Sequence, residues 1–233
     1  GEKSFPALIE YYAARERNTN PPSETFPDGA AWLDENGIFH QTSRQPLTPM
    51  EDLPFIYDEA GRMDGFKNRI IYYETSRGCP FSCSYCLSSI DKKLRFRPLD
   101  TVKKELAFFL EQRVPQVKFV DRTFNCKKSH AMAIWQFICD HDNGVTNFHF
   151  EIAADILDEE EIALLKTMRP GLVQLEIGVQ TANPDTIHAI NRKMDLARVA
   201  QVTEKIRQFL ITQSSVFIMI KIIIYGLGVF IVV

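Results

Sequence analysis

From residue 69 onward, short apolar strands alternate with amphipathic helices, and this alternation restricts the fold more than any other feature. Residues 69–74 (RIIYYE) have a strand pattern. Residues 99–113 predict a helix, capped at Asp100 or Thr101 and ended by Pro115. Residues 117–120 read as a buried strand, 129–141 as a helix and 147–153 (NFHFEIA) as a strand. A helix follows over 158–168, with Asp158 at its N-cap and Glu159, Glu160 and Glu161 in its first turn. Then come a strand at 172–178, helices at 184–190 and 196–209, and a strand candidate at 216–224. A helix between each pair of strands is the βαβ signature of a parallel sheet. The fold class is therefore α/β. A partial (β/α) barrel and an open doubly wound sheet both fit, and both place ligands at the carboxyl ends of the strands.

The first 68 residues read differently. Residues 2–16 predict a helix with Phe5, Leu8, Ile9 and Tyr12 at helical spacing, ended by Asn18-Thr19-Asn20-Pro21-Pro22. Residues 30–41 predict a small hairpin turning at Asn36-Gly37. Residues 42–68, rich in Pro, Asp and Gly, read as a linker over a surface. The division expected is an N-terminal extension at 1–68, a core at 69–215 and a tail at 216–233. The 233 residues suffice for one sizeable domain and a smaller piece. A net charge of −3 gives no direct signal for nucleic acid or anionic lipid.

Three of the five cysteines fall in Cys79-Pro80-Phe81-Ser82-Cys83-Ser84-Tyr85-Cys86, a CxxxCxxC spacing just after the first strand of the alternating region. An odd count clustered in this way is unlike a secreted disulfide framework. It points to a metal or cluster site in a reducing, cytoplasmic compartment, and no secretory signal opens the chain. Three thiolates on one loop can hold three irons of a cubane and leave the fourth iron open to a ligand. Zinc in a structural site takes four ligands, commonly as paired cysteines, and Cys126 and Cys139 offer no such pair. A plain buried trio of thiols is the remaining alternative.

The string from Thr75 to Cys86 resembles the radical S-adenosylmethionine (SAM) superfamily, in the branch whose members carry an N-terminal cobalamin-binding domain. The resemblance covers roughly 69–209 and, more loosely, 1–68. It implies a partial TIM-like (β/α) barrel of radical SAM type, with a short helix-hairpin extension before it that matches the end of a cobalamin-binding domain. It implies a 4Fe–4S cluster on Cys79, Cys83 and Cys86, with SAM chelating the free iron through its amino and carboxylate groups. Tyr85 then matches the residue that packs near the adenine. Asp121, in the charged run after strand 117–120, matches a group that meets the SAM ammonium; an ordinary helix-start aspartate is the alternative.

Leu175-Glu176-Ile177-Gly178-Val179-Gln180-Thr181 resembles the fourth-strand motif of the superfamily, which places Glu176 and Gln180 near the SAM ribose and the substrate. A glutamate between Leu and Ile in a buried strand must face a polar lumen or be neutralised; a structural hydrogen-bond pair is the alternative. Glu151 shares a strand face with His149 and Ala153 and is a candidate lumen carboxylate, or else a surface residue. Asp155 is a weaker candidate in the following loop. Arg192 matches an arginine that meets the SAM carboxylate, a task suited to its planar fork, or else it is a solvated helix end. Gly78 is expected to supply the bend that lets the sulfurs converge.

The activity implied is reductive cleavage of SAM. One electron from an external donor such as flavodoxin or ferredoxin reaches the cluster and breaks the carbon–sulfur bond. Methionine and a 5′-deoxyadenosyl radical result, and the radical takes hydrogen from an unknown substrate. Alternatives are a cluster-binding remnant without activity and a membrane-anchored iron–sulfur electron carrier. The chain starts at Gly1 and holds no cobalamin-ligand histidine pattern, so it is expected to be a fragment whose full-length parent alone could bind cobalamin. Residues 216–233 are nearly all apolar, broken by Lys221, Gly226 and Gly228. They meet the lower length limit of a membrane helix. Their Ile and Val content and lack of basic flanks favour a fifth strand with an aberrant tail, and a truncated barrel.

Overall fold

Along the central strands every second side chain is apolar and buried, and this period of two is what builds the sheet. In the computed structural model the described residues are 1–17, 19, 26–59, 62–66, 69–212, 218–224 and 227–232. They form two compact units, Gly1–Pro54 and Phe55–Val233.

The first unit holds helix α1 (Ser4–Glu16) and a hairpin of β1 (Ala31–Leu33) and β2 (Phe39–Gln41), in which Trp32 pairs with His40. The turn forms where Asn36-Gly37 predicts it. Gly37 has φ +76°, and Asp34 accepts hydrogen bonds from the amides of Asn36 and Ile38. Phe26 stacks on Trp32 at 4.2 Å and Tyr11 on Phe26 at 4.8 Å. The helix thus buries Tyr11 and Ala14, while Phe5, Ile9 and Tyr12 stay exposed. The apolar face expected from spacing is not the buried one, because the stack on Phe26 selects Tyr11.

The second unit runs β3 (Ile71–Tyr73), β4 (Ser76–Arg77), β5 (Arg95–Phe96), α2 (Leu99–Glu111), β6 (Gln116–Phe119), α3 (Lys128–Asp140), β7 (Asn147–Ile152), α4 (Glu159–Thr167), β8 (Val173–Gln180), α5 (Pro184–Ala189), α6 (Leu196–Thr212), β9 (Ile218–Ile224) and β10 (Leu227–Val232). Strands β3, β6, β7, β8 and β9 lie side by side and parallel. β10 closes the described sheet antiparallel to β9. One face carries Val117, Phe119, Phe148, Phe150, Val173, Leu175 and Ile177. It packs on Leu106 and Phe109 of α2, Ile134 and Trp135 of α3, and Ile162 of α4. Burying a large apolar side chain contributes roughly 1.5–3 kcal/mol, so this layer supplies most of the driving force. The opposite face is polar: Gln116, Lys118, Asn147, His149, Glu151, Gln174 and Glu176 alternate with the core residues.

Several expectations need correction. Helix α2 has Pro98 at its N-cap, with no side-chain cap; Asp100 lies inside the first turn. With Pro98 at the cap the helix starts two or three residues before the side-chain caps expected. The α4 cap is as expected, with Asp158 and Glu161 forming a full capping box. The segment at 42–68 is not uniformly a surface linker. Phe55 and Tyr57 pack edge-on against Phe109, and the Tyr57 hydroxyl donates to Tyr72 O at 2.7 Å. The tail contributes β9 as a fifth parallel strand and then turns back as β10, a return that the sequence did not suggest. Residues 213–217, 225, 226 and 233 lie outside the described residues. Among the described residues no helix is long and apolar enough to cross a membrane.

Candidate active site

The three cysteines sit on a loop pinched at its base. β4 pairs with β5, Ser76 against Phe96 and Arg77 against Arg95, and the Cys79 amide donates to Asp91 O at 3.1 Å. Gly78 bridges the two contacts with φ +93°. A Cβ there would stand 2.7 Å from Lys93 O. The glycine is required because two backbone segments meet there. Cys79 and Cys83 are buried and Cys86 is partly exposed, and all are free thiols.

A second segment, residues 190–192 just after α5, clamps this loop. The Ser84 amide donates to Ile190 O at 2.9 Å, and Asn191 Nδ2 donates to Ser82 O at 2.9 Å. Asn191 adopts φ +50°, a left-handed conformation that asparagine tolerates. Arg192 Nη1 donates to Tyr85 Oη at 3.0 Å and lies 3.8 Å from Cys83 Sγ, while Nη2 donates to Gly178 O at the tip of β8. Arg192 Nε is buried without a partner. Burial raises the Tyr85 phenol above its ordinary value, and the Arg192 charge opposes the rise.

Between the cysteine loop and the strand tips lies a cavity of about 330 Å³. Cys79, Cys83, Cys86, Tyr85, Glu151, Glu176, Gln180 and Arg192, all candidates from the sequence, line it together. Arg122, Asp155 and Lys193 line it too. Both signs of charge are thus present, which suits a zwitterionic ligand.

Glu176 is the best-supported carboxylate on the polar face. Lys118 Nζ donates to it at 3.0 Å and His149 Nε2 lies 3.1 Å away. An ionised carboxylate only accepts, so that ring nitrogen carries the proton. The His149 hydrogen bond, opposed by burial and aided by Lys118, brings Glu176 down to about 2. Glu151 lies beside Glu176 in the strand register and 3.7 Å from the same lysine. Gln180 ends β8 with φ +66°, its amide near Gly178. Lys118 is a neighbour of Glu176 that sequence reasoning passed over, and His149, placed there on the face of Glu151, was given no part in the site. The available signal was parity: Lys118 alternates with Val117 and Phe119, so it must share the polar face with Glu151 and Glu176.

Asp121 departs from its expected place. It is fully buried and does not line the cavity. Its carboxylate accepts from the Thr75 amide at 3.1 Å, Thr75 Oγ1 at 2.8 Å and Ser76 Oγ at 2.5 Å. Burial pushes it up to about 6 against these hydrogen bonds. The next turn of chain, not the strand end itself, faces the cavity: Arg122 and Thr123 line it, with Thr123 Oγ1 3.7 Å from Cys79 Sγ. Cys126 and Cys139 lie outside the cavity. Burial pushes the Cys126 thiol up to about 11.

The family profile of the radical SAM superfamily matches residues 73–224. The chain belongs to the radical SAM superfamily. The match runs from the last residue of β3 to the end of β9 and so takes in the cysteine loop, the clamp and the polar strand face. An uncharacterized methyltransferase of Pyrococcus horikoshii is 31% identical over 107 residues, 43% of this chain and 23% of that protein. The bacteriochlorophyllide d C-12(1)-methyltransferase of Chlorobaculum tepidum is 22% identical over 160 residues, 66% of this chain and 34% of that protein. This chain therefore spans about a quarter to a third of the length of these two relatives. Among solved structures, the radical SAM methyltransferase TsrM from Kitasatospora setae, with cobalamin and a 4Fe–4S cluster bound, superimposes with a TM-score of 0.64 at 17% identity. It covers 92% of this chain and 43% of that one. The cobalamin-dependent SAM radical enzyme OxsB, with aqua-cobalamin and SAM bound, gives 0.61 at 16% identity, covering 93% of this chain and 32% of that one. These likenesses settle the fold as radical SAM TIM-like, rather than an open doubly wound sheet.

Proposed function

We propose that Cys79, Cys83 and Cys86 hold a 4Fe–4S cluster and that the adjoining cavity binds SAM for reductive cleavage. The observation that carries the reading is that three free thiols from one loop line a single cavity with a buried, unpartnered Arg192 Nε. Among the described residues no group of three or more His, Cys, Asp or Glu side chains gathers as a single-ion site. A cubane takes each thiolate on a separate iron, so spread sulfurs suit it better than they suit zinc. When bound, the cluster supplies the electron that splits SAM into methionine and a 5′-deoxyadenosyl radical.

The residues of this chain bind, orient and exclude water. The clamp at 190–192 fixes the loop and the β8 tip in one frame. Tyr85 offers a half-buried aromatic edge for the adenine. Glu176, held ionised by Lys118 and His149, is an acceptor for ribose hydroxyls, with Gln180 beside it. Arg122, Lys193 and Arg192 offer donors to the SAM carboxylate, and Glu151 and Asp155 offer acceptors to its ammonium. Asp121 acts one layer below, by holding Thr75 and Ser76 at the base of the loop.

The reductant is an external donor such as flavodoxin or ferredoxin. The named relatives are methyltransferases, which supports methyl transfer as the outcome in the whole protein. Cobalamin is present in the TsrM and OxsB structures, which supports a cobalamin-dependent activity of the whole protein.

The test is anaerobic reconstitution, then dithionite and SAM. Iron and sulfide near four per chain and formation of 5′-deoxyadenosine are expected, and each of C79A, C83A and C86A is expected to lose both. Purified protein holding zinc, or iron content that survives these substitutions, overturns the reading.

A further inference from the structure

Cys83 has a charged neighbour that coordination of iron does not require. Arg192 Nη1 lies 3.8 Å from Cys83 Sγ, within reach of an N–H to sulfur hydrogen bond. The guanidinium is not free to swing. Its Nη2 is fixed on Gly178 O, its Nη1 also meets Tyr85 Oη at 3.0 Å, and its backbone follows Asn191, which is tied to Ser82. The direction of the fork toward sulfur is therefore set by β8 and by the loop together.

We propose that Arg192 raises the reduction potential of the cluster held by Cys79, Cys83 and Cys86, through its charge and its hydrogen bond to Cys83 Sγ. This inference rests on the cluster reading above. Reduction adds one electron from the donor to the cluster and breaks no bond in the protein. The added negative charge is stabilised by a cation and an N–H donor at a ligand sulfur more than the oxidised state is. Partial burial of the pair keeps solvent from screening it. Arg192 is in this sense a positioning and tuning residue, acting through Cys83. A role confined to gripping the SAM carboxylate would leave the SAM-free cluster unchanged, and this separates the two assignments.

The experiment is an EPR-monitored redox titration of the anaerobically reconstituted chain without SAM, for wild type, R192Q and R192K. Iron and sulfide per chain are measured first. At the solution potential that half-reduces wild type, R192Q is expected to show a reduced-to-oxidised ratio about tenfold lower, equal to about 59 mV for one electron. R192K keeps the charge and loses the fork, so a smaller fall of about threefold is expected. If R192Q fails to retain its cluster, the R192K titration decides alone. Ratios equal to wild type in the loaded variants overturn the proposal and leave Arg192 a clamp or a SAM ligand. Wild type without a cluster defeats the reading above, and this inference with it, before any titration begins.

Discussion

Lys118 reaches across the intervening strand β7 to Glu176, 3.0 Å from Nζ to Oε2, with His149 of β7 on the same oxygen at 3.1 Å. Three strands thus share one carboxylate on the polar face of the sheet. Glu176 is mostly buried, and its ordinary value of 4.5 falls to about 2 through the His149 hydrogen bond, with Lys118 adding to it. A group depressed on folding stabilises fully above its unfolded value and loses that contribution as pH falls through the folded value. The stability gap between wild type and E176Q, from urea melts, is expected at about 2–3 kcal/mol at neutral pH. It should be flat above the ordinary value and close between 4.5 and about 2. A gap that persists undiminished at the acid end contradicts the network.

Gly78→Ala tests the base of the cysteine loop without touching a thiol. The new Cβ would meet Lys93 O at 2.7 Å and Asp91 O at 3.1 Å, on a backbone with φ +93°. Both are backbone atoms and cannot rotate away. A loss of about 1–3 kcal/mol is expected, with lower iron uptake on reconstitution. Wild-type iron content and melting in G78A would show that the pinch has no bearing on cluster assembly.

The alternation of strands and helices was legible from residue 69 because each element buries one face against the same core, and the period of that burial is written locally. The cysteine loop was legible for a different reason: its chemistry needs fixed short spacing. For Lys118 the strand parity was legible, but its partner Glu176 was not, because that residue lies on β8, far along the chain. Asp121 misled because an acid after a buried strand can face either the ligand or the strand before it. Only the tertiary contact with Thr75 and Ser76 decides between them. The pinch of β4 on β5 leaves almost no pattern, since each strand is two residues long.

Asp121→Ala should therefore behave as a structural lesion. It leaves the Thr75 amide and the Thr75 and Ser76 hydroxyls without their acceptor in a buried setting. A loss of about 3 kcal/mol or more is expected by denaturant melt, and about 1–2 kcal/mol for D121N, which keeps one acceptor oxygen. The wild-type carboxyl is raised to about 6 from 3.8 by burial, so its charge costs stability as pH rises across that interval. The deficit of D121N relative to wild type should accordingly be larger near pH 4 than at neutral pH. A D121A protein as stable as wild type would refute this placement.

Glu105 joins the strand end to the first helix of the core. Its carboxylate accepts from the Tyr73 hydroxyl at 2.5 Å and from Arg97 Nε at 2.8 Å, and Arg97 Nη2 pairs with its other oxygen. Arg97 and Glu105 are both buried, and the Arg97 amide donates to Thr75 O at 2.8 Å. The pair therefore sits directly beneath the loop base that Asp121 also holds. Burial and the neighbouring carboxylate push the Tyr73 phenol well up, so it remains a donor throughout the working pH range. Breaking one side of a buried pair leaves an uncompensated charge, which typically costs about 3–5 kcal/mol. E105Q is expected to lose stability on that scale and to release iron faster on warming. R97M combined with E105L removes both charges together and should cost much less than the sum of the single changes. The double-mutant cycle measures this directly. Additive losses across the cycle would show that Arg97 and Glu105 stabilise the loop base independently rather than as a pair.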